Sequence, residues 1–182
     1  MITALQAIHP RTLSLQLLAG TLAVAVVAPG LALGQDARAD VIDRSAPVVV
    51  ETSITIDAPP AEVWRVLTDV ARWPEWNEYI GSATLEGPLA AGSTIMWTVG
   101  AMNIRSRLTA VDPERGLDWD GLDGDTRGLH SWRLVPEGEG TRVTNVESLS
   151  GGSADAEPEA ITEQLTLFLD AWNEQIKAEV EG

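Results

Sequence analysis

The chain is 182 residues long and carries 27 acidic against 12 basic side chains, a formal net charge of −15. Holding a polyanion requires a surplus of Lys and Arg to displace counterions, so this balance excludes a nucleic-acid binder and disfavours anionic lipid surfaces. Zero cysteines exclude disulfides, thiolate catalysis, iron–sulfur clusters and Cys-based zinc sites, whereas 45% hydrophobic residues within one domain's length allow a real core.

In chain order, residues 1–39 read as an address. Arg11 precedes an apolar run from Leu13 to Ala28; Pro29-Gly30 ends it, and small residues follow at Ala32-Leu33-Gly34 and Ala37-Arg38-Ala39. A basic start, apolar middle and small-residue exit describe a secretory signal, which implies a periplasmic or secreted protein. The alternative is an uncleaved anchor, since residues 13–33 are long enough to span a bilayer, and the membrane would then be touched only through this segment. Cleavage near Ala39 would remove Arg11, Arg38 and Asp36, so the acidic surplus stays with the remaining domain.

Residues 40–46 form a polar linker, and the domain proper spans 47–182. Pro47 to Ile56 is β-branched and alternating, which predicts a strand. Asp57-Ala58-Pro59-Pro60 predicts a helix start with Asp57 accepting first-turn amides, and Ala61, Val63, Trp64, Val66 and Leu67 give an apolar face to about Thr68. A short helix or turn through Val70, Trp73, Pro74 and Trp76 follows. Strands are predicted at roughly 80–87, 93–101, 103–112, 116–122, 128–136 and 141–149, separated by Gly, Pro and Asp clusters with turn chemistry. Residues 151–159 read as a connection. A long helix then carries Ile161, Leu165, Phe168, Leu169, Trp172, Ile176 and Val180 on one stripe, opposite Glu163, Asp170, Glu174, Lys177 and Glu181. Short-turn strands pair antiparallel, and the final helix buries its stripe only against their concave face. The fold class is therefore α+β: a helix-grip with about seven strands curved around the C-terminal helix and two short helices between strands 1 and 2.

Ser53-Ile54-Thr55-Ile56-Asp57-Ala58-Pro59-Pro60-Ala61-Glu62-Val63-Trp64, Trp73-Pro74-Glu75-Trp76, Trp132-Arg133-Leu134 and Gly140-Thr141-Arg142-Val143-Thr144 resemble the polyketide cyclase/dehydratase-like branch of the START and plant-allergen (SRPBCC) superfamily. The resemblance covers about residues 48–181 and implies a cavity between sheet and helix for sterols, lipids, hormones, polyketides or other apolar molecules. Members include carriers, sensors, cyclases and other enzymes, so the fold leaves the chemistry open.

The chain holds seven Trp, one Tyr and one Phe. Residues two apart in a strand share a face, which groups Ile95 with Trp97 and Val99, Leu117 with Trp119, and His130 with Trp132 and Leu134. Asp118, Asp120 and Arg133 fall on the opposite face and read as solvated. Val143 continues the inward register, which brings Asn145, Glu147 and Leu149 to the same side. With Phe168 and Trp172 from the last helix, Trp97, Trp119, His130, Trp132, Asn145 and Glu147 are candidate ligand contacts in an aromatic cavity; the plainer alternative is a solid core. His130 with Glu147 or Asn145 would also suit proton abstraction beside a carbonyl, as a cyclisation or dehydration needs, against the plainer reading of one structural hydrogen bond.

Trp73-Pro74-Glu75-Trp76 reads first as a packed corner and second as a cavity mouth. The acids at 118, 120, 123 and 125 fail the calcium-loop spacing and read as an exposed turn. Arg105 and Arg107 are expected to face solvent. One histidine in the domain makes no metal centre, and no cofactor is expected. The expected partner is a hydrophobic small molecule, with three functional classes in play: a carrier, a cyclase/dehydratase-type enzyme and a ligand-free stress-related interaction module.

Overall fold

In a computed structural model that describes residues 41–182, the strands are β1 (Val48–Ile56), β2 (Ile80–Glu86), β3 (Thr94–Val99), β4 (Met102–Asp112), β5 (Gly116–Asp123), β6 (Thr126–Glu137) and β7 (Gly140–Ser150). The helices are α1 (Pro60–Thr68), α2 (Trp73–Trp76), α3 (Gly152–Ala156) and α4 (Pro158–Glu181). The apolar run at 13–33 and the region of the expected cleavage site lie outside the described residues, among which no helix is long and apolar enough to cross a membrane.

The strands form one antiparallel sheet in the order β1-β7-β6-β5-β4-β3-β2. Its register follows from the alternation of large apolar residues. Trp119 lies opposite His130, which lies opposite Glu147, while Leu117, Trp132, Asn145 and Thr52 form the next row across β5, β6, β7 and β1. Tight turns keep successive strands adjacent; the β6–β7 turn uses Gly138 at φ 62°, a conformation that costs glycine nothing.

α4 closes the inner face. Its Leu165, Phe168, Leu169, Trp172 and Ile176 are buried, each large apolar group contributing about 1.5–3 kcal/mol, and the exposed side carries Glu163, Asp170 and Glu174. Polar contacts pin it along β1: Asn173 Nδ2 donates to Thr52 Oγ1 at 2.8 Å, and Lys177 Nζ donates to the Thr55 carbonyl at 2.7 Å. The helix-grip expectation holds, with seven strands.

Local expectations differ at three places. Asp57 does not cap α1: Pro59 occupies the N-cap position, no side chain caps the helix, and the Asp57 amide instead donates to Glu181 Oε1 at 2.8 Å. The connection at 151–159 contains the single-turn α3, whose Ala154 is buried. Asp118 is not solvated: only 1% of it is exposed, and Arg133 Nη1 lies 2.5 Å from its carboxylate. Asp120, by contrast, pairs with exposed Arg127 in the expected acidic turn, and Arg105 and Arg107 are exposed.

Candidate functional site

Five tryptophans meet between sheet and helix. Trp172 stands at the centre, its ring 5.4–6.4 Å from Trp73, Trp97, Trp119 and Trp132, and 5.4 Å from Phe168. Several of these contacts are edge-to-face, the arrangement that sets a positive ring edge against a negative face. Strand alternation delivers Trp97, Trp119 and Trp132; the helical stripe delivers Phe168 and Trp172. The rings are in mutual contact. A surface depression of about 320 Å³ beside Ala91, Gly92, Arg107, Leu108 and Thr109 involves none of them.

Trp73 is the residue that sequence reasoning places elsewhere. It packs near-perpendicular to both Trp97 and Trp172, at 6.0 and 5.5 Å, and its Nε1 donates to the Leu67 carbonyl at 2.9 Å. That bond satisfies one of the carbonyls left free at the end of α1. The corner reading is right about packing and wrong about depth: Trp73 belongs to the central cluster, whereas Trp64 and Trp76 are only partly buried.

His130 lies in this cluster, stacked 4.3 Å from Trp119 and 5.7 Å from Trp132, tilted 22° and 21° from the two rings. Its Nδ1 is 3.2 Å from Glu147 Oε2, a charge-pair separation whose angle does not make a hydrogen bond. Glu147 is 16% exposed while His130 is 1% exposed, so the carboxylate bridges solvent and interior. Gly128 makes room for it: a Cβ there would come within 2.7 Å of Glu147 Oε1. A glycine inside a strand signals such a close approach, and it is the one sequence signal for this site that the reading of strands and turns passes over.

The interior holds polar atoms without partners. Among the described residues, His130 Nδ1 and Nε2, Trp132 Nε1, Asn145 Nδ2 and Oδ1, Trp172 Nε1 and Asn173 Oδ1 are buried and make no hydrogen bond. Leaving a buried donor or acceptor unsatisfied costs about 1–3 kcal/mol, so most buried groups are paired. By contrast Trp97 Nε1 donates to Ser106 Oγ at 3.0 Å. The orphans gather where β6 and β7 face the middle of α4, because Trp132 and Asn145 are cross-strand neighbours and Trp172 packs on Trp132. All eight residues named from the sequence, Trp97, Trp119, His130, Trp132, Asn145, Glu147, Phe168 and Trp172, thus lie on or beside one surface. No cluster of His, Asp or Glu that could hold a metal occurs among the described residues.

A curved antiparallel sheet gripping a C-terminal helix defines the helix-grip class. The chain belongs to the family described as polyketide cyclase / dehydrase and lipid transport, whose model matches residues 47–181. Solved structures share its fold at low identity. A protein of Thermus thermophilus is 19% identical with a TM-score of 0.65, over 73% of this chain and 97% of its own. The Zhui aromatase/cyclase from a Streptomyces species is 19% identical at TM-score 0.61, covering 73% and 93%. A START superfamily protein from Mycobacterium smegmatis is 13% identical at TM-score 0.64, covering 73% and 97%. No curated protein sequence matches the chain.

Proposed function

We propose that the protein binds a hydrophobic or amphipathic small molecule between the sheet and α4, as an exported carrier whose N-terminal segment directs it out of the cytoplasm. The observation that carries this reading is the set of unpartnered polar atoms on His130, Trp132, Asn145 and Trp172 inside an aromatic interior. Apolar walls with a few fixed polar groups are the composition of small-molecule sites, and a ligand with hydroxyl or carbonyl groups satisfies atoms that otherwise cost stability. Because the rings touch, such a guest is taken in by their rearrangement, with the binding-competent arrangement selected from a minor population. The family's association with polyketides and lipids supports the same ligand class. Titration with the uncharged fluorophore N-phenylnaphthylamine tests this: the reading expects saturable, stoichiometric energy transfer from Trp to the probe. Unsaturable transfer, or the same response from the urea-unfolded chain, would remove it.

The approach of Glu147 to His130 Nδ1 supports a second reading, a cyclase/dehydratase-type enzyme. A carboxylate beside one imidazole nitrogen orients the ring and leaves Nε2 to take a proton from carbon next to a carbonyl, with the Asn145 amide available to the developing oxyanion. The dyad would exchange the α-protons of a bound apolar ketone in heavy water, followed by NMR. In an enzyme His130→Ala abolishes exchange and keeps fluorophore binding; in a carrier neither His130→Ala nor Glu147→Gln changes anything but affinity for polar guests.

A further inference from the structure

Charge is distributed unevenly between the inside and outside of this fold. Among the described residues, the inward strand positions and the buried stripe of α4 contribute His130 and Glu147 as ionisable groups, with Asp123 on the same parity at the β5–β6 tip. No Lys or Arg occupies any of these positions. Among the described residues, the ionisable side chain paired with Glu147 is His130, whose Nδ1 lies 3.2 Å from Oε2 without making a hydrogen bond. Gly128 lets Oε1 approach the β6 backbone, since a Cβ there would lie 2.7 Å from it. The His130 ring beside this carboxylate is stacked on the indoles of Trp119 and Trp132. Indole faces attract cations, and the attraction grows when the cation is withdrawn from water. An anionic headgroup would meet a carboxylate and aromatic faces with no compensating cation, which desolvation makes costly.

We propose that the interior site prefers an apolar guest carrying a protonated amine, with the nitrogen against Glu147 and the hydrocarbon body among Trp119, Trp132 and Trp172. This deepens the ligand-binding reading and rests on it. The amine donates to the Glu147 carboxylate, a charge-assisted contact of the stronger kind.

Three guests of equal chain length separate the terms: decylamine, decanol and decanoate, each below its micellar concentration, at neutral pH and physiological salt, followed by intrinsic Trp emission of the full-length protein. The proposal expects decylamine to bind about tenfold more tightly than decanol, the ratio that roughly 1.4 kcal/mol of charge pairing produces, and decanoate to bind most weakly. In Glu147→Gln the amine-to-alcohol ratio falls to about one. Glu163→Gln, on the exposed face of α4, leaves the ratio unchanged. A ratio that survives Glu147→Gln, or falls equally in Glu163→Gln, assigns the preference to surface charge and overturns the proposal. Decanoate binding as tightly as decylamine overturns it too. If N-phenylnaphthylamine binds and none of the three chains does, the amine assignment alone fails; if the fluorophore also fails, the interior site falls with it.

Discussion

Trp73 and Trp172 are both fully buried, both sit in the central cluster, and differ in one atom's partner. Truncating either to Phe removes the same ring volume from a close-packed interior, so the cavity cost is common to the two variants. Trp73→Phe also deletes the 2.9 Å bond to Leu67 and orphans a carbonyl at the end of α1. Trp172→Phe deletes an N–H that has no partner and so relieves a desolvation penalty. An orphaned buried acceptor costs about 1–3 kcal/mol, so Trp73→Phe is expected to be the more destabilising by about that amount. Urea denaturation followed by far-ultraviolet circular dichroism gives the difference from the two midpoints, provided the slopes agree. Equal midpoints, or Trp172→Phe as the less stable variant, would refute the assignment of Trp172 Nε1 as an unpartnered interior donor.

Thr52→Val removes the acceptor for Asn173 Nδ2 between β1 and α4 and should cost about 1–3 kcal/mol by the same denaturation assay, with Thr52→Ser near wild type. Gly128→Ala places a Cβ 2.7 Å from Glu147 Oε1, which is the movable end of a side chain, and 3.1 Å from Leu149 Cδ2. The carboxylate should therefore swing away from His130 for about 1–3 kcal/mol of lost stability, and Trp emission should change as His130 loses its neighbour. Glu137 is held below its ordinary 4.5 chiefly by hydrogen bonds from Arg142 and then Thr55, and Glu181 below its ordinary 4.5 by the Asp57 amide and Lys177. A depressed folded-state value contributes stability that is present above 4.5 and is lost as pH falls through the folded values. Glu137→Gln and Glu181→Gln should thus lie below wild type in thermal midpoint at neutral pH and converge with it in strong acid.

Alternation makes the inner face of the sheet legible, because residues two apart must share a side and the side bearing Trp97, Trp119 and Trp132 can only be the covered one. The same parity brings Asn145 and Glu147 beside His130. Parity says which face a residue takes and nothing about what lies over it. Asp118 is therefore assigned from sequence to the correct, outer side and wrongly to solvent, since parity does not register what covers that side or its pairing with Arg133. Trp73 escapes because α2 has four residues, too few for a period to reveal a buried stripe. α3 escapes for a related reason, being five residues of Gly, Ser, Ala and Asp with the composition of a loop. Asn173 interrupts the apolar stripe of α4, and its role depends on Thr52, a partner 121 positions away.

The seven indole N–H groups report separately in a nitrogen–proton correlation spectrum, which makes this the most direct test of an interior site. On adding N-phenylnaphthylamine, the signals of Trp132 and Trp172, whose N–H groups have no partner, should move most. Those of Trp73 and Trp97, already bonded to Leu67 and Ser106, should move less. Shifts confined to the partly exposed Trp64 and Trp76, with the Trp132 and Trp172 signals unmoved at saturation, would contradict binding between the sheet and α4.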